Sequence, residues 1–378
     1  MKKYLIHIAV FLLMLTPASH AAYIDTDAEV AVVIDGHTGK VLFSKNKDKK
    51  TYPASMTKIM TTLIIFEKLA NETLSLDDKF LVSEKAWRER EGSSMFVEVD
   101  KEIRVEDLLR GIIVQSGNDA CIVVAENIAG TEESFAKMMT QKAKEIGMKN
   151  TNFTNSTGMY DKDNYSTVYD IAILSMHLIN EYPQYYHLFA ETEFEWSGIK
   201  QNNRNSLLYK NMGVDGLKTG HLSKSGYGLA ASAVDQNRRV ISVVNGFEST
   251  QKRTQGSSRL ITWAFREFTN LKLFEKEDIV GQVEISGAST KESDVSTSEE
   301  IIITVPKSKR DGLTTNIVVD DNISAPLNAG DKVGYLEISV PGEENQTYEL
   351  YATNEIDRSN IFVRFFNYLI NLILSLFN

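Results

Sequence analysis

The chain has 378 residues, more than one ordinary domain of roughly 150 residues, and 42% of them are hydrophobic and 24% charged. That balance supplies a sizeable core and excludes bulk disorder and collagen-like repeats, while a single cysteine, Cys121, excludes a disulfide framework. The net charge of −10, which becomes −13 over residues 22–360, argues against nucleic acid as a partner, because a basic face is needed to neutralise phosphates.

The chain opens with Met1-Lys2-Lys3, an apolar run from Tyr4 to Leu15, and small residues at Ser19 and Ala21. The run is well short of the ~20 residues that span a membrane, so residues 1–21 read as a secretory signal cleaved after Ala21. Next, Glu29–Ile34 and Lys40–Phe43 flank Asp35-Gly36-His37-Thr38-Gly39 as a hairpin. Apolar periodicity predicts helices over Met56–Ala70, Val105–Val114, Ala120–Ile128, Glu133–Ile146 and Val168–Asn180. A second hairpin, Tyr227–Val234 with Arg239–Phe247, turns at Asp235-Gln236-Asn237, and a helix is predicted over Ser257–Phe274. Residues 22–274 therefore read as an α/β (α+β) body whose antiparallel sheet is flanked by helices.

Residues 275–355 change character. Ile279–Ile285, Ile301–Val305, Thr315–Val319, Lys332–Val340 and Thr347–Tyr351 are β-type runs spaced as in a small all-β sandwich. Ser286–Glu300 has five serines and reads as an exposed loop, and Asn354–Asn360 as a polar, acidic linker. The tail 361–378 places Arg364, Asn367, Asn371, Ser375 and Asn378 on one helical face and large apolar side chains elsewhere. This pattern predicts an amphipathic helix lying in a membrane surface, held by hydrophobic burial more than by its one positive charge.

Three histidines, His37, His177 and His187, have no partner at a metal-ligand interval, and no His-Glu-x-x-His or Cys-x-x-Cys occurs. No Gly-rich phosphate loop and no Gly-x-Ser-x-Gly is present either, so neither a metal nor another cofactor is expected. Serine–lysine chemistry is supported instead. Ser-x-x-Lys occurs five times, beginning at Ser44, Ser55, Ser134, Ser197 and Ser249, and Ser55 alone opens a buried apolar helix. There the free N–H groups and the dipole favour developing negative charge. Lys58 lies one turn on, and desolvation lowers its pKa so that it can take the serine proton. An N-capping serine beside a snorkelling lysine is the bland alternative. Ser116-Gly117-Asn118 sits in a turn between apolar helical stretches, and Lys218-Thr219-Gly220 precedes segments that look like adjacent strands. On a strand edge, the latter offers a cation, a hydroxyl and free backbone to a peptide with a terminal carboxylate. Cys121 reads as a small buried helix residue.

Tyr-Pro-Ala-Ser-Met-Thr-Lys (52–58), Ser-Gly-Asn-Asp-Ala (116–120), Asn-x-Thr-Gly-Met (155–159) and Val-Asp-Gly-Leu-Lys-Thr-Gly-His (214–221) resemble the serine D-alanyl-D-alanine carboxypeptidases. These are low-molecular-weight penicillin-binding proteins of the five/six type, and the resemblance spans essentially the whole chain beyond the signal. It implies a penicillin-binding, serine β-lactamase-like catalytic fold followed by the β domain and the C-terminal helix. It also implies a peptidoglycan stem peptide as substrate and β-lactam antibiotics as covalent ligands. Ser55 would be the nucleophile, Lys58 its base, Ser116 a proton relay and Asn118 a contact to the substrate backbone. Lys218 and Thr219, with Gly220 beside them and Arg253 assisting, would anchor the substrate carboxylate. The N–H groups of Ser55 and His221 would form the oxyanion hole. The loop Met159–Tyr165 lacks the Glu that deacylates class A β-lactamases, leaving Asp161 and Asp163 as open candidates, and Tyr165 stands where some relatives have histidine. A β-lactamase or endopeptidase on the same fold, a wall-binding module without catalysis, and a second copy of the chain as partner stay open at this level. The expected location is outside the cytoplasm, on the outer face of the cytoplasmic membrane.

Overall fold

The computed structural model describes residues 24–89, 91–290 and 292–360, so the signal 1–21 and the amphipathic helix 361–378 lie outside the described residues. The predicted first hairpin is present as β1 (Val30–Asp35) and β2 (Val41–Lys45). A 3-10 turn at Ala54–Thr57 feeds α1 (Lys58–Ala70), which is buried from Lys58 to Phe66 because apolar residues occupy most of its circumference. Then come β3 (Lys79–Leu81), α2 (Glu84–Arg88), β4 (Glu102–Arg104), α3 (Val105–Ile113), α4 (Asn118–Ala129) and α5 (Glu132–Glu145). α6 (Val168–Glu181) and the single turn α7 (Pro183–Tyr186) precede a small hairpin, β5 (Glu193–Trp196) and β6 (Ile199–Asn202). β7 (Val214–Leu222), β8 (Gly226–Asp235), β9 (Arg238–Phe247) and α8 (Thr250–Glu267) complete this part. Several starts follow from capping: Thr131, Thr167 and Ser249 accept the N–H of the residue three positions on.

The main sheet is antiparallel, in the order β2-β1-β9-β8-β7. Both faces are covered, which is why β1 is buried at every position. Val30, Val32 and Ile34 pack among α1 and its neighbours, whereas Ala31 and Val33 face the layer containing α8. β7 is an edge strand, and the turn carrying Ser55 packs beside it.

Two sequence expectations fail for a shared reason. The helix read over Ser257–Phe274 begins earlier and stops at Glu267, and Phe268–Phe274 forms β10, paired antiparallel with Ile301–Pro306. A short apolar run fits either period locally, and here a strand far along the chain decides it. The loop read over Ser286–Glu300 contains another strand, Ser293–Thr297, held between two neighbours by backbone bonds, with fully buried Val295 as its contribution to the core. The predicted β-type runs are otherwise present as β11 (Ile279–Val283), β12 (Ser293–Thr297), β13 (Ile301–Pro306), β14 (Thr314–Val319), β15 (Lys332–Ser339) and β16 (Gln346–Ala352). The β10-β13 pair and the sheet β11-β12-β16-β15-β14 enclose a separate core that includes Val295, Ile303, Leu336 and Leu350.

The two parts are stitched together. Buried Asp35 accepts from Arg238 Nε at 2.9 Å and from Asn270 Nδ2 at 3.2 Å, and Lys40 donates to the Thr304 carbonyl at 2.7 Å. The segment read as a polar, acidic linker is fastened to the β module. Ile356 is buried and bridges Leu327, and Ser359 N–H donates to the Gly287 carbonyl at 2.8 Å.

Candidate active site

Ser55 lies in the 3-10 turn and not in the α-helix proper, and Lys58 is the first residue of α1. Lys58 has no solvent exposure, and burial lowers its pKa from the usual lysine value. Its Nζ lies 3.2 Å from Ser55 Oγ, 2.7 Å from Asn118 Oδ1 and 2.5 Å from the Thr157 carbonyl. Three separate segments therefore converge on one amine.

Each segment is fixed by local chemistry. Asn155 Oδ1 accepts from Thr157 Oγ1 at 3.0 Å and Gly158 N at 2.7 Å, a side-chain turn that aims the Thr157 carbonyl at Lys58. Gly158 has φ +80°, and a Cβ there would lie 1.9 Å from the Ala54 carbonyl oxygen, so glycine is what lets this loop meet the serine turn. Asn118 is the first residue of α4, and its Nδ2 donates to the Glu91 carbonyl at 2.8 Å, leaving the second amide hydrogen free of that bond. Ser116 has φ +62°, is 1% exposed, and its hydroxyl has no protein partner among the described residues. A strained backbone holding an unsatisfied hydroxyl in a cleft wall marks a position shaped for a ligand rather than for stability.

β7 supplies the opposite wall. Lys218 and Gly220 stand opposite Ala230 and Gly228 and face the Ser55 side, where a Cβ on Gly220 would meet the Pro53 carbonyl at 2.8 Å. Thr219 and His221 alternate to the α8 side, with the His221 ring stacked 4.0 Å from that of Tyr227. Lys218 is buried, and desolvation followed by the nearby Lys58 and Arg204 charges holds its pKa well below the ordinary value. Burial likewise pushes Arg253 down to about 10. These cations need an anion. Ser55, Ser116, Asn118, Thr219, Gly220, His221 and Arg253 all line one cleft of about 770 Å³, with Lys58 and Lys218 behind its surface.

The structure thus brings together Ser55, Lys58, Ser116, Asn118, Lys218, Thr219, Gly220, His221 and Arg253 around one cleft. It adds Arg204, which lines the cleft and donates to Ser93 Oγ and whose carbonyl accepts from Arg253 Nη2 at 3.3 Å. It also adds Asp119, which accepts from the N–H groups of Met95, Phe96 and Val97 and so holds the strap carrying Gly92 and Ser93 at the rim. Nothing in local sequence marks Arg204, whereas Asp119 belongs to the Ser-Gly-Asn-Asp stretch. Asp161 and Asp163 do not line the cleft: Asp163 N donates to Asp161 Oδ1 at 2.7 Å, and Asp163 pairs with Lys162. Tyr165 lies beneath Lys50 instead of facing the cleft. Cys121 is fully buried, and desolvation pushes its thiol up to about 12, so it stays protonated. Among the described residues no group of three or more His, Cys, Asp or Glu side chains is placed to hold a metal.

Residues 16–249 match the family model for D-alanyl-D-alanine carboxypeptidase, and 268–358 match that for the C-terminal domain of penicillin-binding protein 5. The chain is 33% identical to the D-alanyl-D-alanine carboxypeptidase DacA of Haemophilus influenzae over 93% of its own length and 91% of that protein's. The crystal structure of penicillin-binding protein 5 from Haemophilus influenzae superposes with a TM-score of 0.84 and 33% identity, covering 90% of this chain and all of that one. Penicillin-binding protein D2 of Listeria monocytogenes, solved in its ampicillin-bound form, is similar at 29% identity with a TM-score of 0.59, over 64% of this chain and 99% of that one. The chain therefore belongs to the D-alanyl-D-alanine carboxypeptidase family of serine peptidases.

Proposed function

We propose that Ser55 is the nucleophile with which this D-alanyl-D-alanine carboxypeptidase cleaves the terminal peptide bond of a peptidoglycan stem pentapeptide. The observation that carries this reading is the environment of Lys58 Nζ. A neutral amine has two N–H groups and one lone pair. Asn118 Oδ1 and the Thr157 carbonyl accept the two hydrogens, which leaves the lone pair for the Ser55 hydroxyl. As Oγ bonds to the carbonyl carbon, its proton passes to Lys58. The N–H groups of Ser55 and His221 meet the oxyanion, each such donor being worth about 3–4 kcal/mol. Collapse breaks the C–N bond while Ser116 Oγ relays the proton to the leaving amine, and D-alanine departs. Water then hydrolyses the ester.

Lys218, Thr219 and Arg253 hold the terminal carboxylate, whose charge offsets the mutual repulsion of these buried cations. Asn118 uses its remaining amide hydrogen on the substrate backbone, and Gly220 keeps the strand edge close to Ser55. A β-lactam mimics the D-Ala-D-Ala end and acylates Ser55. Release is slow, because neither Asp161 nor Asp163 stands in the cleft to activate water. Incubating protein that lacks residues 1–21 and 361–378 with a D-Ala-D-Ala pentapeptide tests this. D-alanine release that disappears in Ser55→Ala supports it; no D-alanine, or rapid penicillin turnover, overturns it in favour of a wall-binding module or a β-lactamase.

The enzyme is exported and held on the outer face of the cytoplasmic membrane, the periplasmic side where there are two membranes, by residues 361–378. The apolar arc of that segment supports this, as does the fastening of Ser359 to the β module just before the tail begins. No helix among the described residues is long and apolar enough to cross a membrane. Deleting 361–378 should move the protein from membrane to soluble fractions; unchanged fractionation refutes the anchor.

A further inference from the structure

The cleft has a direction. β7 runs from Lys218, among Arg204 and Arg253, past Gly220 against the serine turn, to Leu222 in the cleft wall. A peptide whose terminal carboxylate lies at the cationic end and whose scissile carbonyl lies at Ser55 must leave past Leu222, extended and antiparallel to β7. At ~3.3 Å per residue, its third residue and a second residue linked through its side chain then lie within roughly 10 Å of the reacting centre on that side.

The groups that stand there have no role in the chemistry derived above. Leu222 and Met159 form the wall, and Lys224 and Tyr160 follow them in sequence on opposite loops. Lys224 Nζ donates to Tyr160 Oη at 2.9 Å and closes the gap between the loops. The Tyr160 ring packs edge-on against Tyr52, 5.1 Å between centroids, three residues before Ser55. Tyr160 is 44% exposed, and among the described residues no carboxylate pairs with Lys224. The nearest acids on the facing loop, Asp161 and Asp163, are engaged within that loop. In a body of net charge −13, a cation left without a carboxylate and set over the Tyr160 ring, 4.1 Å from its centroid, at the exit of a substrate cleft is arranged for an anion.

We infer that Lys224 and Tyr160 form a subsite that binds a free carboxylate of the stem peptide upstream of D-Ala-D-Ala, and so select among peptides. Two carboxylates belong to this stretch of the stem peptide: the α-carboxylate of a D-glutamate linked through its side chain at the second residue, and the extra carboxylate of a diaminopimelate at the third. The inference rests on the carboxypeptidase reading.

Four pentapeptides separate the cases, with lysine or meso-diaminopimelate third and the second-residue carboxylate free or amidated. The readout is the ratio of kcat/KM for carboxylate over neutral peptides within one protein, so any general loss in a variant cancels. An exposed ion pair predicts a ratio of roughly 1.5- to fivefold at low salt, falling as salt screens it. In Lys224→Gln the ratio should fall to about one, Lys224→Arg should restore it, and Tyr160→Phe should lower it in part. The residue whose amidation or replacement abolishes the ratio identifies the carboxylate. A ratio near one in the unaltered enzyme, or one that survives Lys224→Gln, overturns the subsite while leaving hydrolysis intact. No D-alanine from any of the four peptides overturns the carboxypeptidase activity, and the subsite with it.

Discussion

Gly158→Ala isolates the fit between two loops without touching a reacting group. The added Cβ would start 1.9 Å from the Ala54 carbonyl oxygen and 2.5 Å from its carbon, backbone that cannot swing aside, and 2.9 Å from the Thr57 side-chain Oγ1. Reaching even a 3.0 Å contact requires a shift of about 1.1 Å between the 155–159 loop and the turn carrying Ser55. The positive φ adds about 1–2 kcal/mol, and overpacking typically adds about 1–3 kcal/mol, less about 0.4–1 kcal/mol recovered from the unfolded chain. Together these give a net loss of roughly 1–5 kcal/mol. The shift also draws the Thr157 carbonyl away from Lys58, and a 1 Å misplacement in a catalytic array can cost about 10²-fold in rate. The assay is single-turnover acylation by a fluorescent penicillin, alongside urea unfolding of the same samples. Acylation within threefold of the parent and an unchanged unfolding midpoint would refute the claim that this contact positions the base.

The remaining predictions use other parts of the site. Burial holds Lys58 below the ordinary lysine range, so acylation should rise with pH through a midpoint lower than that of free lysine; Lys58→Arg should remove this limb and about 10²–10⁴-fold of the rate, and a limb that persists points to another base. Below 10.5 the unfolded chain keeps a proton that folded Lys58 gives up, so the contribution of this group to stability is lost as pH falls from 10.5 through its depressed folded midpoint. Urea unfolding at pH values approaching 10.5 should show stability rising with pH, and the slope should shrink in Lys58→Met. Arg253→Gln should lower kcat/KM for the peptide roughly tenfold or more, as loss of a charged hydrogen bond implies, whereas equal loss for a peptide amide would show a merely structural role. Asp119→Asn sets an amide N–H against backbone N–H groups at the strap and should cost roughly 2–4 kcal/mol through unsatisfied buried donors; a parental melting temperature would show that the strap is held otherwise.

Much of the site is legible in local pattern. Ser55 and Lys58 are one helical turn apart, so their proximity follows from any helical conformation of 54–70, and the apolar residues after them make burial of that helix unavoidable. Lys218-Thr219-Gly220 precedes β8, and its place on an open edge follows from the last strand of an antiparallel run having one neighbour. Phe268–Phe274 and Ser293–Thr297 do not show themselves as strands locally, because their strand character comes from backbone pairing with segments outside any short window and not from their own side chains. Arg204 is hidden for the same reason, since its meaning lies in Ser93 and Arg253, which local spacing does not connect to it.

By itself, the sequence determined the two hairpins and the long apolar helices of the catalytic body, the β character of the C-terminal module, and the residue types of a serine–lysine hydrolase. Tertiary structure decided what those types can do. The two carbonyl acceptors that occupy the Lys58 hydrogens come from positions 60 and 99 residues away, and the cleft opposes an edge strand to a loop admitted only by Gly158. A lysine becomes a base when burial removes water from its charged form, and that burial is the work of segments distant in sequence.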